Sequence, residues 1–164
     1  MQEDLREFYF SDKIKEKIQN PLVIKNELKE GKTVQEIIEF SDETMIKFCN
    51  AAYLLFEHKK YREAADAFIF LTVLNAHHCE YWLGLGMATQ FCQEYESAID
   101  AYELAAMCDV SNPVPYFYLA KCLFAIHDHE SALEALDLVI EMADEEEEYA
   151  EIKQQALLAR NLLL

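Results

Sequence analysis

The chain has 164 residues, of which 52% are apolar, and its 31 Asp and Glu outnumber its 14 Lys and Arg, for a formal net charge of −17. It is too apolar for a disordered acidic tail and too acidic for a protein that binds nucleic-acid phosphates. With only 3 Gly and 3 Pro there is little turn chemistry for a sandwich or a barrel, so the composition predicts an all-α fold.

Residues 1–44 are predicted to form an N-terminal helical arm. Pro21 divides this arm, Gly31 ends its second helix, and Thr33 with Glu36 forms a capping box that opens a third, short helix. The first segment of the arm carries an apolar stripe, which we expect either to fold back on the chain or to contact a second copy of it. The stripe consists of Leu5, Phe8, Tyr9 and Ile14.

Between residues 45 and 146 the same residue classes recur three times at an offset of 34. The recurring positions include Phe48, Trp82 and Tyr116, then Ala64, Ala98 and Ala132, then Phe68, Tyr102 and Leu136. Steps of three and four residues place them on one face of each of two helices per unit. A single helical hairpin cannot bury its apolar face, so the units must stack. We assign the units to residues 45–78, 79–112 and 113–146.

The period and the pattern resemble the tetratricopeptide repeat, whose landmarks stand in the middle unit as Trp82, Leu85, Gly86 and Ala98. The resemblance implies a superhelix of three helical hairpins. Residues 147–164 are then predicted to form a C-terminal capping helix, and the carboxylates at 144–148 are interpreted as a solvated run.

The first helix of each unit carries a second, mostly apolar stripe that faces away from its partner helix. Two apolar stripes on one helix require two burial partners. In repeats of this type the second stripe lines a concave groove, and the candidate peptide-binding residues are Cys49, Tyr53, Phe56, Leu83, Met87, Gln90, Phe117, Lys121 and Phe124. The alternative is a shifted register in which these residues belong to the ordinary core.

The chemistry of this stripe bears on the class of ligand. Capture of a terminal carboxylate requires several Lys, Arg and Asn side chains that converge, and Lys121 is the only base in the stripe. The stripe therefore favours an extended or helical peptide that inserts apolar side chains between aromatic and methionine surfaces.

The N-terminus and the cysteines indicate a compartment. The first residues are acidic where a secretion signal would carry positive charge, and no apolar run approaches the roughly 20 residues that cross a bilayer. The 5 cysteines form no Cys-x-x-Cys motif, which argues against a disulfide framework or a zinc finger. These features predict a reducing cytoplasm.

Several segments resemble the class II chaperones of bacterial type III secretion, which hold hydrophobic translocator proteins. The segments are Gly31–Val34, Ser41–Thr44, Lys60–Phe68, Tyr81–Gly86, Asn112–Pro115, Ala120–Leu123 and Glu130–Leu136. The resemblance implies a bacterial cytoplasmic chaperone without enzymatic activity, which keeps translocators soluble and apart until export. The implied groove contacts are Tyr53, Phe56, Leu83, Met87 and Phe117, and the arm is expected to form a homodimer. The chain differs from the family pattern at Lys121, where members often place Glu.

Two other interpretations remain open. A generic tetratricopeptide-repeat adaptor that binds a peptide of another partner would share every fold-level feature. An enzyme has less support, because the sequence contains neither a Gly-rich phosphate loop nor a Gly-x-Ser-x-Gly motif. The nearest thing to a metal site is His77-His78-Cys79, whose consecutive side chains point in different directions without a matching pair elsewhere. We therefore predict no catalytic residue, metal or cofactor.

Overall fold

The computed structural model describes residues 10–143 and 147–163, and within them the chain forms helices and turns without a strand. The helices are α1 (Asp12–Ile18), α2 (Pro21–Lys29), α3 (Val34–Ile37), α4 (Asp42–Glu57), α5 (Tyr61–Leu74), α6 (Cys79–Phe91), α7 (Tyr95–Cys108), α8 (Pro113–Ala125), α9 (His129–Met142) and α10 (Ala150–Leu163). A 3-10 turn at Glu147–Tyr149 precedes α10. The all-α prediction is confirmed. Each helix of the described chain is too short or too polar to cross a lipid bilayer.

Three helical hairpins stack in chain order, as the repeat predicts. They are α4 with α5, α6 with α7, and α8 with α9, and α10 packs on α9 at the end of the stack. The first helices of successive hairpins contact one another more closely than the second helices do, and α10 contacts α8 in the same way. The stack therefore curves with α4, α6, α8 and α10 on its inner side.

Side-chain caps fix where several helices begin. Thr33 and Glu36 form the predicted capping box before α3, with the Thr33 amide donating to the Glu36 carboxylate at 2.7 Å. The Ser41 hydroxyl accepts from the Thr44 amide at 3.1 Å, which starts α4 at Asp42, ahead of the predicted unit boundary. Each cap satisfies a backbone donor that the first helical turn leaves unpaired.

The turn within each hairpin repeats one backbone conformation. Lys59, Gln93 and His127 stand 34 residues apart and have left-handed φ angles of 61°, 62° and 66°. In the first turn the next amide, that of Lys60, donates to the Leu55 carbonyl at 2.9 Å, and the other two hairpins repeat this bond. This is a Schellman ending, which favours glycine because a Cβ is strained at positive φ. None of the three positions is glycine.

The substitution Gln93→Gly is expected to raise the free energy of unfolding by about 0.5–1 kcal/mol, because it removes the left-handed strain at an exposed site. Urea unfolding followed by circular dichroism measures the change. Gln93→Ala is the matched control and should give no such gain, since alanine keeps the Cβ. Equal stability of the glycine variant and the wild type would show that this turn carries no strain.

The arm packs against the first hairpin of its own chain. Ile14 is buried, and the ring of Phe10 stacks on that of Phe40 at 5.6 Å between centroids. Phe40 in turn contacts Phe48 of α4 at 5.8 Å. Residues 10–40 therefore extend the apolar core beyond α4.

The half-buried ammonium group of Lys17 joins the three short helices of the arm. The Nζ atom of Lys17 in α1 lies 2.7 Å from a carboxylate oxygen of Glu27 in α2 and donates to the Ile37 carbonyl at the end of α3, at 3.1 Å. The hydrogen bond from Lys17 lowers the pKa of Glu27. Beyond α2, Gly31 has a φ of 87°, so the predicted end of this helix is confirmed.

Two aromatic rings approach α6 where it carries glycine. The ring of Phe68 in α5 lies so close to Gly84 that a Cβ there would overlap it, and a Cβ on Gly86 would lie 2.6 Å from ring carbons of Tyr102 in α7. Both rings are fully buried, and the Tyr102 hydroxyl donates to the Gln90 side chain at 2.7 Å. Glycine thus allows α5 and α7 to pack tightly against α6.

Candidate peptide-binding groove

The nine predicted groove residues lie on α4, α6 and α8, which are the first helices on the inner side of the stack. Their exposure differs. Cys49 and Phe117 are buried, with 6% and 4% of their surface exposed. Lys121 and Phe124 are exposed, and the half-buried members are Tyr53, Phe56, Leu83, Met87 and Gln90. Most of the stripe therefore reaches the surface, while two members belong to the core.

The wall between α4 and α6 combines an aromatic ring with a carboxylate. Tyr53 packs edge-on against Phe68, with centroids 5.1 Å apart, and its phenol faces Glu80. Burial, followed by the negative charge of Glu80, raises the pKa of Tyr53. The same two causes raise the pKa of the Cys49 thiol to about 11, so this thiol is protonated and unreactive at neutral pH.

Aromatic rings close the groove near the hairpin turns. Phe56 contacts both Tyr61 and Phe91, each at 5.2 Å between centroids, and the two partner rings lie 4.8 Å from each other. Phe91 remains 55% exposed. This cluster offers an apolar contact surface to a bound chain.

The central part of the groove is formed by α6. Leu83 and Met87 pack at the edge of the buried cluster around Tyr102. The Gln90 side chain accepts a hydrogen bond from the Tyr102 hydroxyl. Next to Leu83 a cavity of about 250 Å³ opens between α6 and α8. Its lining residues are Cys79, Glu80, Leu83, Ala105, Asn112 and Pro115.

A larger cavity, of about 440 Å³, lies where α8, α9 and α10 meet. Its lining residues are Phe117, Ala120, Lys121, Phe124, Leu136, Gln155, Leu158, Ala159, Leu162 and Leu163. Three of the nine predicted residues thus share a site with α10. Sequence reasoning missed the contribution of α10, although Gln155 and Leu158 follow Lys121 and Phe124 by the same 34 residues that separate the units.

The ammonium group of Lys121 lies over two aromatic rings. Its Nζ atom is 4.2 Å from the centroid of Phe117 and 4.9 Å from that of Tyr118. Partial desolvation of this ammonium group by its protein surroundings lowers the pKa of Lys121. No carboxylate in residues 10–143 or 147–163 forms an ion pair with it, so the rings are its main stabilising contacts.

The histidines singled out from the sequence lie outside this groove. His77 and His78 are exposed, and the ring of His78 stacks on Tyr81 at 4.2 Å. Within the described part of the chain, no group of three His, Cys, Asp or Glu side chains is arranged to hold a metal ion.

Of the residues assigned to a dimer contact, only Ile14 can be placed. It is buried against its own chain, whereas Leu5, Phe8 and Tyr9 lie outside the described residues. Ile14 is therefore a core residue of its own chain, and the expected dimer contact through Leu5, Phe8 and Tyr9 stays a prediction.

Comparisons with known proteins find relatives by sequence and by fold. No family model matches the chain. It is 29% identical over 131 residues to the low calcium response locus protein H of Yersinia pestis, which covers 80% of this chain and 78% of that protein.

Two solved structures of SycD, a type III secretion translocator chaperone of Yersinia enterocolitica, share the fold. One contains a peptide of the translocator YopD and has a TM-score of 0.73 and 26% identity, covering 76% of this chain and 95% of that chain. The other, an alternative dimer, has a TM-score of 0.73 and 27% identity, with the same coverage of 76% and 95%. The chain is thus similar to these chaperones in sequence and in fold.

Proposed function

Because the chain resembles the type III secretion translocator chaperones in both sequence and fold, we propose that it is a bacterial cytoplasmic chaperone for hydrophobic translocator proteins. It binds an apolar segment of the translocator along the inner side of its helical stack. The translocator peptide held by SycD is the single observation that carries this proposal. The row of surface-reaching apolar residues on α4, α6 and α8 supplies a matching surface here.

The proposed mechanism is differential binding without chemistry. Full burial of one Leu, Phe or Met side chain contributes about 1.5–3 kcal/mol, so a few client side chains in the groove hold a segment firmly. A covered segment cannot insert into a membrane or pair with another translocator. Release follows when the secretion machinery or another partner binds the client more tightly. The net charge of −17 keeps the complex soluble.

Co-expression tests the proposal. The genes that flank this chain's gene are first searched for a large, partly hydrophobic translocator-like protein, which is then expressed with and without the chain. We expect the translocator alone to enter the insoluble fraction, and the two chains together to co-purify from the soluble fraction. A translocator that stays insoluble, or one that is equally soluble alone, would contradict the chaperone role and favour an adaptor for folded partners.

We also propose that the free protein forms a homodimer through Leu5, Phe8 and Tyr9, because the similar chaperone SycD forms a dimer and Ile14, the fourth residue of the predicted stripe, is already buried within its own chain. Light scattering is expected to give twice the chain mass for the full protein and the single chain mass after removal of residues 1–9. This shorter truncation leaves the packed residues 10–40 in place. A dimer that survives it would contradict a contact through residues 1–9.

A further inference from the structure

The helix α10 repeats the placement of a first helix rather than only covering the end of the stack. It packs on α9 and touches α8, as α8 packs on α7 and touches α6. Its Gln155 and Leu158 stand one repeat length after Lys121 and Phe124. The inner side of the stack therefore continues past α8 onto a fourth helix.

The cavity between α8 and α10 has an apolar wall that the chain itself leaves uncovered. Phe124 is 48% exposed, Leu158 60% and Leu162 87%. Phe117 forms its floor, packed beneath α10. Uncovered apolar side chains around a cavity of this size indicate a binding site for an apolar group.

The positive charge of Lys121 at the mouth of the cavity favours an acidic group beside the bound apolar group. Lys121 is partly desolvated over Phe117 and Tyr118 and has no ion-pair partner in the described chain. A carboxylate brought by a ligand would supply the missing counter-charge and accept charge-assisted hydrogen bonds from Nζ.

We propose that the cavity between α8 and α10 is a further client subsite, which takes an apolar side chain of the translocator segment next to an acidic one paired with Lys121. This inference rests on the proposed function and names the client chemistry at one end of the same groove. Continuity supports it, because Phe117, Lys121 and Phe124 belong both to the groove stripe and to the cavity lining. The occupant is the part of the client segment that extends beyond α6.

The test uses the full chain and a labelled synthetic peptide, chosen as the translocator segment that the co-expressed complex protects from protease. Fluorescence anisotropy then gives the affinity of each variant. Relative to wild type, we expect Lys121→Met to bind about tenfold more weakly, and Lys121→Glu and Leu158→Asp about a hundredfold more weakly. Lys60→Glu, at an exposed site in the first hairpin turn, makes the same charge change as Lys121→Glu and should leave the affinity unchanged.

A charge exchange identifies the partner of Lys121. Peptides in which each acidic residue in turn is replaced by Lys are titrated against the Lys121→Glu variant, and one of them is expected to recover most of the lost affinity. Both Lys121 and Leu158 are exposed in the free chain, so their variants should retain wild-type circular dichroism and unfolding midpoints. A gain of affinity restored by charge exchange cannot arise from misfolding.

Other outcomes separate the two proposals. If wild type and all variants bind the peptide equally, the subsite is wrong and the chaperone role stands. If wild type does not hold the co-expressed translocator at all, the proposed function fails, and the subsite fails with it. Leu158→Asp could instead lower the mass of the client-free protein in light scattering while its affinity for the peptide stays that of wild type. In that case a second copy of the chain occupies the cavity, and the subsite proposal is overturned.

Discussion

Replacing Met87 with glutamate is expected to weaken client binding about a hundredfold while the chain stays folded. Met87 is half-buried in the central part of the groove, so in the free protein a carboxylate there still reaches water. A bound client would cover it, and an unpaired charge covered at an interface costs about 3 kcal/mol or more, which corresponds to two powers of ten in affinity. Anisotropy with the protease-protected client peptide measures the loss.

Met107→Glu is the matched control. It makes the same change of side chain and of net charge, but at a residue of α7 that is 74% exposed. It should bind the client as wild type does. Equal binding by the Met87 and Met107 variants would show that the client does not lie over α6, and a loss of helical circular dichroism in the Met87 variant alone would assign this residue to the core.

A second large effect is expected from Gly86→Ala, which should lower the free energy of unfolding by about 2 kcal/mol. Alanine normally stabilises a helix interior relative to glycine by about 1 kcal/mol, so the expected sign is opposite to the helix propensity. The reason is that the added Cβ would lie 2.6 Å from the ring of Tyr102, which is fully buried and cannot move aside. Overpacking of this kind costs about 1–3 kcal/mol or more. Urea unfolding measures the change.

The third hairpin provides the rescue for this variant. It carries Ala120 and Leu136 at the positions of Gly86 and Tyr102, and both residues are buried in one cluster. Adding Tyr102→Leu to Gly86→Ala should therefore recover part of the stability, in a double-mutant cycle with a favourable coupling energy. Additive losses would show that the ring does not oppose the new methyl group.

The sequence predicted the helices well because their signals are local. The steps of three and four residues within each repeat unit and the capping box at Thr33 each involve residues a few positions apart, and α3 begins directly after Thr33. The left-handed turns at Lys59, Gln93 and His127 were not predictable in this way, because the residue type at each position carries no glycine signal. Their 34-residue spacing shows that the hairpin geometry imposes the conformation.

The candidate site was less predictable, because exposure depends on what packs from elsewhere in the chain. Phe117 has the spacing of a groove residue, yet its side chain is covered once α10 lies over α8. The role of Leu158 depends on the same contact. If α10 is treated as a continuation of the 34-residue pattern, the pattern predicts both the burial of Phe117 and the place of Leu158 in the site. The apolar positions of the repeat are weaker in α10, which favoured the interpretation of a terminal cap.

The direct contact between successive first helices has a consequence for the clients of this protein. Helices that touch lie roughly 8–10 Å apart, axis to axis. An extended polypeptide advances about 3.3 Å per residue, so roughly three residues carry it from one helix to the next. Any segment that crosses α4, α6, α8 and α10 in turn should therefore repeat its anchoring side chains at about every third position, and candidate partners can be ranked from their own sequences by this interval.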